Sequence, residues 1–372
     1  MSAETTKIDK FTPVNNEGRS ILLFYSLPLK FKSAEMTLIR RFIFLLLTLF
    51  SLLACHRNPL KVDISNINLT MKIGRLDQDL FAVTQSNIQL VVPALQEKYD
   101  PFFTLYNKEI LAIGNSSDSL YAEYLLTFLA DSMVSKAKQK TDSLFHDFQP
   151  YAKELELAFR HYRYYFPKNS IPAVYTYLSG FNQSVVTMPE ALGISLDNYL
   201  GSNCKFYVQL GIPAYKRQNM DPKKLVYDAL YGFVSQQFEY RGNAENLISN
   251  MIHQGKLLYL LDALIPDGPD SLKIGFRSAQ LDWCKANEKE MWSYLVEKKM
   301  LFSGDRMELV RFINSAPFTT PFGQKSPGRT GVWIGWQIVK SYMKNNPETK
   351  LQDMMKENDY HKILNESGYS PE

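Results

Sequence analysis

Cys55 stands directly after Leu52-Leu53-Ala54, at the end of an apolar run that begins at Phe42 behind Arg40-Arg41. A basic pair, a short apolar run and a small residue at its end are the parts of an export signal. A thiol in that place adds a chemistry. Leu-Leu-Ala-Cys has the form of a lipobox, at which a lipoprotein signal peptidase cuts and leaves the cysteine as an acylated first residue. The run falls short of the roughly 18 apolar residues that a membrane-spanning helix needs, so it reads as a signal rather than an anchor. Residues 36–54 are therefore expected to be a lipoprotein signal peptide starting at Met36, with Cys55 the lipidation site. Residues 1–35, mixed and polar, are expected to be a mis-assigned leader outside the fold.

The rest of the chain has residue types for metal and acid–base chemistry, but not the spacings. A small sheet followed by two long helices is the order found in zinc metallopeptidases. Those enzymes carry His-Glu-x-x-His on the first helix, so that both imidazoles share one face, and take a carboxylate ligand from the next. Here the first helix reads Val226-Tyr227-Asp228-Ala229-Leu230-Tyr231-Gly232-Phe233, with no histidine. The second reads Asn250-Met251-Ile252-His253-Gln254-Gly255-Lys256, with Gln254 where a Glu-Gly pair is expected. A neutral amide is a poor zinc ligand. A zinc site from His253, Asp228 and a distant carboxylate is the arrangement left over, and a lone helical histidine is more often structural. No Gly-x-Ser-x-Gly elbow, Walker A loop or dinucleotide fingerprint occurs. Glu288 and Glu290, between Trp283 and Trp292, read as solvated acids on a helix. We expect no catalytic residue, no metal and no cofactor.

The densest local signal is Ser315–Trp336, a proline- and glycine-rich loop that enters a helix near Thr330. Gly331 and Gly335, four apart, permit close backbone approach on one helical face. Arg329, at the helix entrance, is placed to hold an anion or a partner's carboxylate, although a rigid packing loop is the plainer reading. Asp228, His253, Gln254 and Arg329 together are the candidates for a partner-binding cleft or loop.

These residues must be positioned by a body of 318 residues, which is what remains of 372 after residue 54. That length suits one large domain. Lys and Arg number 35 in it against 34 Asp and Glu, and a near-neutral body excludes the clustered basic face of a nucleic-acid binder. Cys204 and Cys284 lack metal spacing and read as two buried thiols, with a disulfide as the alternative. Aromatic residues make up 13% of the chain. Tyr162, Tyr164, Tyr165, Tyr175 and Tyr177 are either core or a stacking platform for glycans.

Ile67, Leu69, Met71 and Ile73 alternate with polar residues, which predicts a strand. Helices are predicted over 87–112 with a break at Asp100-Pro101, over 119–134, and over 150–166. Short β-branched or aromatic runs at 173–178, 184–188 and 191–196 predict a small sheet. From Asp221 the pattern is helical, with further helices over 244–264, 278–299, 305–314, 330–345 and 351–365. The fold class is α+β, mostly helical, with a small sheet ahead of a helical C-terminal half, resembling a degenerate zinc-metallopeptidase fold. A tether is expected over 55–62 and a single domain over 63–372.

Residues 227–238, 252–267, 280–288 and 326–339 (the last reading Ser-Pro-Gly-Arg-Thr-Gly-Val-Trp-Ile-Gly-Trp-Gln-Ile-Val) resemble the GldB family of gliding-motility lipoproteins of the Bacteroidota. The likeness covers essentially the mature chain and is strongest from about Tyr199 onward. It implies an envelope lipoprotein needed for gliding, tied to the secretion machinery that serves it, with no established enzymatic activity. It also implies a distant kinship with predicted zinc proteases, from which this sequence departs at the ligand positions. The expectation is a non-catalytic assembly component on the outer membrane whose partners are the bilayer, through its lipid, and other gliding or secretion proteins. His56-Arg57-Asn58 favours the periplasmic side, because surface-exported lipoproteins of that group generally carry an acidic stretch after the cysteine. A divergent zinc peptidase and a glycan-binding lipoprotein are the alternatives.

Overall fold

Side-chain oxygens set where many of the helices begin. Asp131 accepts from the backbone N–H groups of Met133 and Val134, and Asn246 from Ser249. Asp305 does the same for Met307 and Glu308, and Asp359 for Lys362. Each satisfies donors that a first helical turn leaves open. The computed structural model describes residues 58–242 and 245–372. The expected leader, signal peptide and Cys55 lie outside the described residues.

The described chain opens with a short strand, β1 (Ile73–Arg75), and continues through α1 (Ile88–Tyr99), α2 (Tyr121–Ala130), α3 (Ser132–Leu144) and α4 (Gln149–Tyr165). Three strands follow in quick succession: β2 (Ala173–Tyr177), β3 (Val185–Met188) and β4 (Ala191–Ser195). The remainder is helical. It comprises α5 (Leu225–Gln237), α6 (Leu247–Leu264), α7 (Ser278–Ala286), α8 (Glu288–Glu297), α9 (Arg306–Ile313), α10 (Thr330–Asn345) and α11 (Tyr360–Ser367), joined by shorter turns. The fold is α+β and mostly helical, with a small sheet ahead of a helical C-terminal half.

The four strands lie in the order β1-β2-β4-β3. β1 and β4 pair parallel with β2, and β3 pairs antiparallel with β4, which leaves β3 at an edge. Successive residues of the inner strands serve two separate cores, as the period of two requires. Val174, Leu192 and Ile194 face the larger core with α5, α6 and α10, while Tyr175, Tyr177 and Ala191 face a smaller one with α1 and α2. Both faces are covered, so the inner strands read as continuous apolar runs.

The alternation at 67–73 does not make a long strand. Only Ile73–Arg75 pairs with β2, and Leu69 and Met71 achieve their one-sided burial by packing on the core without a ladder partner. Three predicted helices are each two. Asp131 divides 119–134 by capping α3, Asn287 separates α7 from α8, and residues 357–359 part a short helix at Leu351–Lys356 from α11.

α6 is buried on nearly every side and crosses α10 in backbone contact. A Cβ added at Gly335 would lie 1.7 Å from the Met251 carbonyl oxygen, and one at Gly255 would lie 2.2 Å from the Gly335 oxygen. The close approach anticipated at Gly335 is therefore made against α6. Near the crossing, Asp262 accepts from Lys273 Nζ at 2.8 Å and from Trp336 Nε1 at 2.9 Å. The loop before α10 is braced by its own hydrogen bonds: Ser326 Oγ donates to the Gly323 carbonyl, and Thr319 Oγ1 to that of Pro327.

The chain is docked from Asn58 onward, within the segment expected as a tether. Asn58 Nδ2 donates to the Pro266 carbonyl, Tyr165 donates to that of Leu60, and Lys61 pairs with Asp267 at 2.8 Å. Cys204 and Cys284 are buried free thiols. Of the five tyrosines weighed as a glycan platform, four are buried and only Tyr164 is exposed, so they form no stacking surface. Glu288 is not a free surface acid. It accepts from Trp333 Nε1 at 3.1 Å and from the Tyr369 hydroxyl at 2.8 Å, tying the C-terminal segment to α10. Among the described residues, no helix is long and apolar enough to cross a membrane.

Candidate functional site

A cleft of about 770 Å³ opens between the β3 edge and α5. Its shape starts with Asp197, a fully buried carboxylate that accepts from the Phe181 N–H at 2.8 Å, the Ser179 N–H at 3.2 Å and Ser195 Oγ. Desolvation pushes this carboxyl upward against those bonds. The bonds fix the turn through Gly180 and Phe181, both at positive φ, that delivers the chain into β3. On the other side, Gly232 lets α5 come up to the strand. A Cβ there would sit 2.8 Å from Val185 Cγ1 and 3.7 Å from Thr187 Cγ2.

Asp228 lies on α5 inside the cleft. Lys224 Nζ, one helical turn earlier and buried, donates to its Oδ1 at 2.5 Å, and the Tyr199 hydroxyl reaches Oδ2 at 3.3 Å. Burial and the neighbouring carboxylate together raise the Tyr199 phenol well above its ordinary range, so it stays a donor. Tyr231, three residues after Asp228, also lines the cleft and donates to Gln254 Oε1 on α6. Desolvation raises the Tyr231 phenol, while the adjacent Arg329 guanidinium pulls the other way.

Arg329 caps α10 from the left-handed region, at φ 62°, a costly conformation for a side-chain-bearing residue. Its Nη1 donates to the Ile274 carbonyl at 3.0 Å. The guanidinium is thereby held at the cleft, and among the described residues it pairs with no carboxylate.

Of the four candidates, Asp228 and Arg329 line the cleft, and Gln254 lies behind Tyr231, from which it accepts. His253 is not with them. It faces a different, smaller pocket, where its Nδ1 lies 3.2 Å from the Tyr360 hydroxyl and its ring packs edge-on to Tyr240. Burial, assisted by the Lys256 charge, lowers its pKa to about 4. His253 on α6 is turned to that pocket while Asp228 on α5 lines the cleft, so their pairing as metal ligands does not form. Among the described residues, no group of three or more His, Cys, Asp or Glu side chains is placed to hold a metal ion.

Sequence reasoning overlooked Tyr231, Lys224 and Tyr199. The first two stand three after and four before Asp228, on its own helical face, and that spacing was the available signal. Tyr227, the residue before Asp228, turns instead to Glu154, whose carboxyl it hydrogen-bonds.

By geometry, this is a mostly helical α+β protein with a cleft between a sheet edge and a helix, its one carboxylate already engaged by a lysine. The family model described as gliding motility protein GldB matches residues 57–371, and the chain belongs to that family. It is thereby a component of gliding motility from a family of lipoproteins. No curated protein and no solved structure matches it.

Proposed function

We propose that this chain is a lipid-anchored protein of the outer membrane, facing the periplasm, that serves the gliding and secretion machinery as a non-catalytic assembly component. It holds a protein partner in the cleft beside Asp228, Tyr231 and Arg329. The observation that carries this reading is how the cleft's groups are occupied. Asp228 is ion-paired with Lys224, and Gln254 accepts from a phenol, so both already have protein partners. A cation without a carboxylate partner, by contrast, is a recognition element. The lipid at Cys55 accounts for how a near-neutral body stays on a membrane, since two or more acyl chains give stable anchoring.

Cys55→Ala is expected to release the protein from the membrane fraction or to block its maturation. A processed form still pelleting with membranes would overturn the anchor. Metal analysis of the folded, tag-free protein is expected to find no stoichiometric zinc. Zinc at one per chain that disappears in His253→Ala would replace this reading with that of a divergent peptidase.

A further inference from the structure

We infer that the occupant of the cleft is an extended, acidic peptide segment that adds to the free edge of β3 as a fifth strand and sets a carboxylate against Arg329. This rests on the partner-binding reading of the cleft and specifies its mode and chemistry.

The edge itself is the first observation. β3 is the outermost strand, and its antiparallel register pairs Val185 with Ile194 and Thr187 with Leu192. The Ser184 carbonyl accepts from the Ser195 N–H at 2.9 Å. Antiparallel ladders alternate between bonded and non-bonded pairs, so Val185 and Thr187 turn their N–H and C=O groups outward. Of these four groups, only the Val185 carbonyl has a partner among the described residues, the side-chain amide of Gln183 at 3.2 Å. An unpaired row of this kind is a template for another strand. Main-chain bonds along it give affinity, and the flanking pockets give selectivity.

The flanks are the second observation. α5 forms the floor beneath Val185 and Thr187, and the stretch from Leu210 to Tyr215 forms the facing wall. Leu210 on that wall is an exposed apolar residue, at 45%, suited to the apolar side chains that an incoming strand presents at alternate positions. Charge is the third. The cleft is lined by Lys216, Lys224 and Arg329 against one carboxylate, Asp228, which Lys224 already holds. Lys216 and Arg329 pair with no carboxylate among the described residues. Arg329 is also fixed in position by its backbone conformation and its bond to Ile274, so a partner carboxylate would meet a guanidinium already in place.

The test is selection from a phage-displayed library of random heptapeptides on the full processed protein in detergent, with affinities then measured by fluorescence anisotropy. Enriched peptides are expected to be acidic and to alternate apolar with polar residues. Thr187→Pro removes one outward N–H at an edge, where proline is tolerated, and is expected to weaken binding at least tenfold. Arg329→Asn keeps a residue type that tolerates positive φ and is expected to weaken binding about tenfold and abolish the acidic preference. If the proline variant does not fold, hydrogen exchange on the wild type replaces it: the Val185 and Thr187 amides should slow when peptide binds. Acidic peptides that bind without protecting those amides, yet respond to Arg329→Asn, would overturn the strand addition and leave the cleft as the site. Peptides insensitive to every cleft substitution would overturn the cleft reading itself. A basic consensus, or no enrichment at all, would overturn the proposed occupant.

Discussion

Gln254 and Gly255 are neighbours on α6, yet they belong to regions built on opposite principles. Gln254 accepts from Tyr231, at the wall of a cleft made largely of side chains. Gly255 lies in a crossing made of backbone, where the carbonyls of Met251 and Gly335 occupy the space a Cβ would need. The first region can exchange one hydrogen-bonding group for another and keep its shape. The second has nothing to rotate out of the way. α6 serves both: Gly255 seats it against α10, and Gln254 beside it bonds across to α5.

The contrast predicts a graded set of responses. Gly335→Ala should be the most damaging, since the methyl would require the two helices to separate. We expect a loss of about 3 kcal/mol or more, at or beyond the upper end for overpacking a core, read by urea denaturation. A loss under about 1 kcal/mol would mean that the helices do not meet as described.

The smaller pocket comes next. His253 in the folded protein has its pKa lowered to about 4 from 6.5. As pH falls below 6.5 the unfolded chain takes up the proton and the folded one does not, so stability declines progressively towards pH 4 and this contribution then levels off. The shift corresponds to about 3 kcal/mol across that window. His253→Gln should remove that share of the pH dependence. Denaturation midpoints for the two proteins that fall in parallel from pH 6.5 to 4 would refute it.

The cleft should be the most forgiving. Tyr231→Phe removes one hydrogen bond to a half-buried amide and should cost about 1 kcal/mol, with the circular dichroism spectrum unchanged. A loss as large as that of Gly335→Ala would erase the distinction between the two regions.

The parts of this molecule that could be read from its sequence are those where one local pattern determines the outcome. The runs at 173–178, 184–188 and 191–196 became strands because β-branched and aromatic residues sit between turn formers. Gly331 and Gly335 signalled a close helix contact because only small residues at that spacing permit one. The alternation at 67–73 misled, since it reports one-sided burial and not hydrogen-bond pairing, which depends on a distant strand. The divided helices were hidden for a related reason: an Asp in the middle of an apolar repeat caps a new helix only if the chain turns there. At the cleft, Asp228 and Arg329 stood out by residue type, as did Gln254 behind it. Tyr231 did not, because a phenol is ordinary core material until a partner on another helix makes it a donor. His253 was grouped with them by adjacency in sequence, and the 100° step of the helix sends it elsewhere.

The docked segment at Asn58–Lys61 sets the order in which this protein yields to a pull on its N-terminus. The force meets first the Lys61–Asp267 pair, largely exposed and thus worth little, together with single hydrogen bonds to Pro266 and from Tyr165. Behind these lie Leu60, Val62, Leu69 and Met71, packed on the larger core, then the three-residue pairing of β1 with β2, and only then the buried helices. Tension applied there is expected to detach these first few residues before it reaches the cleft or the crossing, an order that single-molecule pulling on the N-terminus would read.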